Sequence, residues 1–400
     1  MGTTVKNNPF EYHETDYYVA CVGVNGGTDN SDIREGFKKS VHYLITAIKE
    51  GATEDILIYP IVYNARHSIE LSLKLIIEKI YRICEIKGQM VNDQDKKIFI
   101  HDINELDKIV KKYYEVDTRI VALYDSANAY LVDYFFDVDG DAFKYETDHD
   151  GNFHMIKHGI SSISIDILED NFNKLMVLFD DLIFDLCFIV DEYKIGTFTK
   201  NLSRKNIRDI AITLPERDQW VKKDFKEIKE KIKVDYGISS NELSEVLNII
   251  QNHIEFCSFI GMEKVIENIP VSELEDYANM VLEMKKYHKR DQSIKPMSKE
   301  SLKYIQEKTK FMKNISKNIS HDTITFLMTF REFGRSTELY SEQFERIHTY
   351  MKNLSLNRLD SLKKLGKIDI FNRVILGLKK CGQKSYLKVL EDITQSEMGQ

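Results

Sequence analysis

Tyr59-Pro-Ile-Val-Tyr63-Asn-Ala-Arg66-His67-Ser-Ile-Glu70-Leu-Ser-Leu-Lys74 is the stretch whose reading decides the fold. On a 3.6-residue period Ile58, Ile61, Val62, Ala65, Ile69, Leu73, Ile76, Ile80 and Ile83 share one side. That pattern predicts a core helix from Glu54 to Ile86, with Pro60 tolerated near its start. The same period stacks Arg66, Glu70 and Lys74 on a neighbouring face, with Tyr63 and His67 beside them. As a solvated i,i+4 ladder these charges add only about a few tenths of a kcal/mol per pair.

Further along, His101-Asp102-Ile-Asn-Glu105 reads as a helix start. Asp102 followed three positions later by Glu105 resembles a capping box, and His101, just outside the cap, is placed to lean across to Arg66 and Glu70. Upstream, the glycine-rich segment 22–27 lacks the Gly-Lys-Ser/Thr ending of a phosphate loop and reads as a turn, and a helix is expected over residues 32–49. Downstream, helices are expected over residues 106–114, 118–136 and 164–193. Between the last two, Asp137, Asp139 and Asp141 resemble the opening ligands of a calcium loop. The glycine falls at the fourth position and not the sixth, which argues against that reading. Residues 142–145 and 153–156 suggest a small hairpin around Asp150-Gly151.

Only 5 Pro and 18 Gly among 400 residues point to helix throughout, so the chain is read as all-α. The expected division is a helical domain over residues 1–195 and a second over 196–400, with the boundary near Gly196. The first holds 20 Lys+Arg against 35 Asp+Glu, the second 36 against 29, so an acidic domain precedes a basic one. In the second half a short helix is expected to end before Pro215 and another to run over 220–234. Residues 237–250 have the outline of a helix-turn-helix, yet Glu242 and Glu245 sit where a DNA reader needs cations, which favours bundle packing. Residues 285–317 and 345–388 each carry eleven basic residues against three acids. Tyr287, Tyr304, Phe311, Tyr350, Phe371 and Tyr386 are interleaved with them, a composition that suits a phosphate backbone with stacked bases. A solvated helix face, or a surface that docks the acidic domain, has the same composition.

Cys21, Cys84, Cys187, Cys257 and Cys381 are scattered and odd in number, which excludes a disulfide framework and a Cys-x-x-Cys zinc site and suits a reducing cytosol. The most apolar segment, 182–190, is interrupted by Asp185, and the N-terminus has no basic region followed by an apolar one. A soluble cytoplasmic protein without a membrane span is expected, and nothing in the sequence calls for a cofactor or a metal.

Three of these stretches together resemble HEPN-like bacterial domains: Tyr59-Pro60 with Ala65-Arg66-His67-Ser-Ile-Glu70-Leu-Ser-Leu-Lys74, His101-Asp102-Ile-Asn-Glu-Leu106, and Phe143-Lys-Tyr145-Glu-Thr-Asp148-His-Asp-Gly151-Asn152. The resemblance covers the first half of the chain, and it departs at Lys144, where Arg is usual, and at Glu146, where Pro is usual. It implies a helical bundle that dimerises and a toxin-type or anti-phage effector acting on RNA, as a metal-independent endoribonuclease. A non-catalytic module binding nucleic acid or a partner protein from the same operon, and a structural oligomer, are the rival readings. Ribonuclease members of the family carry Arg five to seven positions before His. None of the eleven histidines here has that spacing; the nearest pair is Arg34 and His42, one position too long. The residues left for chemistry are Arg66, His67, Glu70, Lys74, His101 and Asp102. An imidazole of His67 or His101 would move protons, Arg66 or Lys74 would meet the phosphorane-like charge, and Glu70 would orient one of them.

Overall fold

The computed structural model describes residues 8, 10, 17–96, 98–138, 140–266, 269–291, 298–355 and 357–398, so Asp139 lies outside the described residues. Among them the chain is all-α, and the only β pairing is an isolated antiparallel bridge between Thr147 and Phe153. No helix among them is long and apolar enough to cross a membrane. The chain divides into two compact units, Met1–Lys194 and Ile195–Gln400.

The first unit is built on helices α1 (Asn30–Lys49), α2 (Glu54–Ile86), α3 (Ile103–Tyr113), α4 (Thr118–Leu131), α5 (His154–Lys157) and α6 (Ile165–Lys194). α1 opens two residues earlier than its apolar period because Asp29 and Asp32 form a capping box. α2 is the axis of the unit and packs against α1, α3 and α6. Its stripe Ile61, Ala65, Ile69, Leu73 and Ile76 is completely buried, and the helix runs on through Pro60. α4 is tied to α6 by Arg119, whose guanidinium forks between Asp117 and Glu192 at 2.7 and 2.9 Å. α4 ends at Leu131, short of residue 136, and gives way to a 3-10 turn at Val132–Tyr134.

The expected hairpin around Asp150-Gly151 is not formed beyond its single bridge. The Asp148 carboxylate takes the backbone N–H groups of Asp150 and Asn152, and the chain after Phe153 winds at once into α5, so no ladder can extend. Residues 142–145 turn instead of extending, with Lys144 and Tyr145 N–H both donating to the Asp141 carbonyl.

The second unit contains α7 (Arg204–Thr213), α8 (Asp224–Tyr236), α9 (Ser240–Asn252), α10 (Val271–Asp291), α11 (Lys299–Asn318), α12 (His321–Arg335), α13 (Phe344–Leu354), α14 (Arg358–Leu365), α15 (Ile368–Lys380) and α16 (Lys384–Met398). It has two cores. Ile207, Ile210, Val246, Ile250 and Phe256 form the smaller, among α7, α8, α9 and the turn Phe256–Ile260. Leu274, Tyr277, Phe326, Phe330, Phe333 and Leu378 anchor the larger, built from α10 to α16. α8 starts later than residue 220 because Trp220 belongs to a 3-10 turn, where its ring stacks on Phe225 at 4.8 Å. α12 and α15 cross with their backbones in contact at Gly334 and Gly377.

Candidate functional site

All three motif stretches of the first unit meet at one place on α2. Arg66 and Glu70 project from the same face of the helix and are buried, at 5% and 2% exposure. The Arg66 Nη2 donates to the carbonyl oxygens of His101, at 2.8 Å, and of Asp137, while its Nε lies 3.3 Å from the Asp137 carboxylate. The guanidinium is therefore spent inside the fold. It pins the residues ahead of α3 and the 137–145 segment to α2, and Gly140, at φ +73°, leaves it room, since a Cβ there would sit 2.6 Å from Arg66 Nη1. Phe143 closes against Tyr59 with ring centroids 6.1 Å apart, and Lys144 Nζ lies 5.3 Å over the Tyr63 ring.

Glu70 is the centre of the cluster. Its Oε1 accepts from Lys74 Nζ at 2.7 Å and lies 3.0 Å from His101 Nδ1, and its Oε2 is 3.8 Å from both Arg66 Nη1 and His67 Nδ1. Burial alone would push the Glu70 carboxyl up. The contacts from His67 and Lys74 and the charges of Lys74 and His101 outweigh it and hold the group down at about 2. An ionised carboxylate can only accept, so His101 carries its proton on Nδ1 and presents Nε2 outward. The His101 side chain is 65% exposed. His67 stands between Phe37, edge-on at 4.4 Å, and Tyr63, stacked at 6.0 Å.

Asp102 does not join the cluster through its carboxylate, which caps α3 by accepting from Asn104 N–H at 2.9 Å. The expected capping box is only half made, because Glu105 turns to Lys108 at 2.6 Å. Arg34 and His42 also part company: Arg34 is buried on Ser72 and Asp180, both at 2.5 Å, while His42 is on the exposed side of α1. No family model, curated protein or solved structure matches this chain.

The depressed Glu70 has a consequence for stability. Its ordinary value is 4.5 and its folded value about 2, so the ionised form stabilises the unit above pH 4.5 and that contribution drains away as pH falls from 4.5 towards 2. Glu70→Gln, which does not titrate, is expected to lose less on acidification. Between pH 7 and pH 3 the stability gap between the native chain and the variant should narrow by about 2 kcal/mol, read by hydrogen exchange of first-unit amides.

In the second unit a buried ionic cluster escaped the sequence reading. Arg204 Nε lies 2.7 Å from Glu342 and its Nη2 2.6 Å from Glu255, with the guanidinium between the rings of Phe256 and Tyr340 at 4.8 and 4.7 Å. His253 Nε2 is 2.8 Å from Glu342. Burial would raise the Glu342 carboxyl, but the bonds from His253 and Arg204 hold it far below the usual carboxylate range. Residues from 204 to 342 meet here and join the two cores of the unit, a convergence that no local spacing announces. The basic stretches differ from expectation in another way. Tyr304, Phe371 and Tyr386 are buried, Tyr287 and Phe311 are half-buried, and of the six aromatics only Tyr350 is exposed. The three buried ones belong to the apolar faces of amphipathic helices, where their rings are not open to stack on bases.

Proposed function

We propose that the Glu70–His101 site cleaves RNA by attack of a ribose 2′-hydroxyl on the adjacent phosphate, in a cytoplasmic effector of the toxin or anti-phage type. The observation that carries this reading is the His101 imidazole, held by Nδ1 on an ionised, buried carboxylate at 3.0 Å while its other edge faces solvent. That is how a general acid–base is oriented. His101 Nε2 takes the 2′-hydroxyl proton as the 2′-oxygen bonds to phosphorus, then returns it to the departing 5′-oxygen as the bond to that oxygen breaks. Lys74, on the same Glu70 oxygen, supplies positive charge beside the transferring phosphate, and Tyr63 with His67 offers a half-exposed ring stack for a base. Arg66 acts here as the residue that positions His101 and not as the phosphate ligand.

His101→Ala is expected to lower cleavage of a single-stranded RNA by at least about a hundredfold, the usual share of a general acid–base, while circular dichroism stays unchanged. Products ending in a 2′,3′-cyclic phosphate and no cleavage of DNA of the same sequence should accompany it. Full activity in His101→Ala, or product formation on DNA, would remove the proposal. A binding module is the second reading, favoured by the internal use of Arg66 and Asp102; RNA retention without cleavage by the native chain would select it. The homodimer implied by the family resemblance is part of the proposal, and light scattering of the full chain at tens of micromolar should read twice the monomer mass.

A further inference from the structure

α11 (Lys299–Asn318) turns Tyr304 and Met312 into the larger core of the second unit and leaves more than half of its circumference open to solvent. Five of the outer residues are lysines: Lys299, Lys303, Lys310, Lys313 and Lys317, all exposed. At about 100° per residue they fall, with Gln306, in a sector of about 80° at the middle of the exposed arc. The line they make is about 27 Å long at the helical rise. Glu300 and Glu307, the two acids of α11, lie outside that sector, and Glu307 is 3.2 Å from Arg290.

None of the five ammonium groups has a hydrogen bond or an ion pair among the described residues. Lysines elsewhere in the second unit do: Lys205, Lys233, Lys363 and Lys379 reach carboxylates at 2.7, 2.8, 3.1 and 2.9 Å. Lys299 with Lys303, Lys310 with Lys313, and Lys313 with Lys317 are like charges one turn apart, a spacing that destabilises a helix. The chain retains that repulsion along the whole line, and a polyanion laid on it would relieve it. Beside the line Leu302 and Ile305 are open to solvent, at 60% and 52% exposure.

We propose that this face of α11 docks a single strand of RNA, its phosphates along the lysine line and its bases against Leu302 and Ile305. A row of phosphates answers a row of ammonium groups, and each contact releases a counterion. A duplex turns its bases inward and would leave the two apolar side chains in water. An anionic bilayer takes up a broad apolar face, and α11 offers two residues. Tyr304 is buried and Phe311 packs on the core, so the bases meet aliphatic surface and the docking carries no sequence preference. The choice of RNA over DNA rests on the cleavage reading of the Glu70–His101 site; the lysine line itself does not.

Fluorescence anisotropy of the full chain with a labelled 2′-O-methyl oligouridine, which has no attacking hydroxyl, reads docking without cleavage. The association constant should fall with salt at a log–log slope of about −3.5, five contacts at about 0.7 each for a single strand. Lys303→Gln/Lys310→Gln/Lys313→Gln should make that slope shallower by about 2 and weaken binding in low salt by at least about tenfold, with circular dichroism unchanged. Lys96→Gln/Lys108→Gln/Lys174→Gln, the same change of charge at ion-paired lysines of the first unit, should leave both as they were. Leu302→Ser/Ile305→Ser should weaken oligouridine by about threefold or more and leave inorganic polyphosphate, which has no bases, unaffected. An equal loss in both triple variants, an unaltered slope in the first, tighter binding of a duplex or of oligothymidine, or binding of phosphatidylserine vesicles without oligouridine would overturn the proposal. Loss of docking with cleavage intact would remove this inference and spare the Glu70–His101 reading; docking by a chain that cuts no RNA would do the reverse.

Discussion

Gly377→Ala is expected to destabilise the second unit by about 3 kcal/mol or more, the high end of what overpacking does in a core. In α15 a Cβ at residue 377 would lie 1.9 Å from the Phe330 carbonyl oxygen, and in α12 a Cβ at residue 334 would lie 1.8 Å from that of Arg373. Both obstacles are backbone, so no rotamer change can absorb the methyl group and the two helices must separate. The sign of the effect is the test. At a helical position with open space the same change stabilises by up to about 1 kcal/mol, because alanine is the better helix former. Gly36 in α1 has such space, and Gly36→Ala should raise stability slightly. Urea unfolding followed by circular dichroism should move the two variants in opposite directions, with Trp220 fluorescence reporting the loss in the second unit of Gly377→Ala. A Gly377→Ala chain as stable as the native one would mean that α12 and α15 do not touch as described.

Arg66→Ala is expected to cost the first unit about 3–5 kcal/mol, the usual penalty for leaving buried charges without their partner. The Glu70 and Asp137 carboxylates would keep their burial and lose the guanidinium that faces both. The His101 and Asp137 carbonyls would lose their donor at the same time. Arg66→Lys should recover little, since one ammonium cannot span acceptors on two separate segments as the planar fork does. The double variant Arg66→Ala/Glu70→Gln should be less damaged than the sum of its single changes, because neutralising Glu70 removes part of the uncompensated charge. Amide hydrogen exchange over α2, the start of α3 and residues 137–145 should report the loss together, as these segments are joined through one side chain. Protection lost at α2 alone would contradict that role.

What the sequence by itself determined is local. The 3.6-residue period of isoleucine and leucine gave α2 its bounds and its buried stripe, and the preference of Asp for helix starts placed the cap at Asp102. These features depend on neighbours three or four residues apart, which a helix brings together whatever the rest of the chain does. The tertiary structure alone decided which polar faces are solvated. On a helical wheel Arg66, Glu70 and Lys74 are one ladder, yet Asp137 and Gly140 close over Arg66 and His101 reaches Glu70, while Lys74 stays partly in water. His101 reaches Glu70 across 31 residues, and Arg204 reaches Glu342 across 138. The aromatics among the basic residues were legible as a composition and not as a side, because a residue type that stacks on bases also fills cores. The contact between Gly334 and Gly377 left no trace in either helix alone, since a missing side chain declares its purpose only when another backbone arrives to occupy the space.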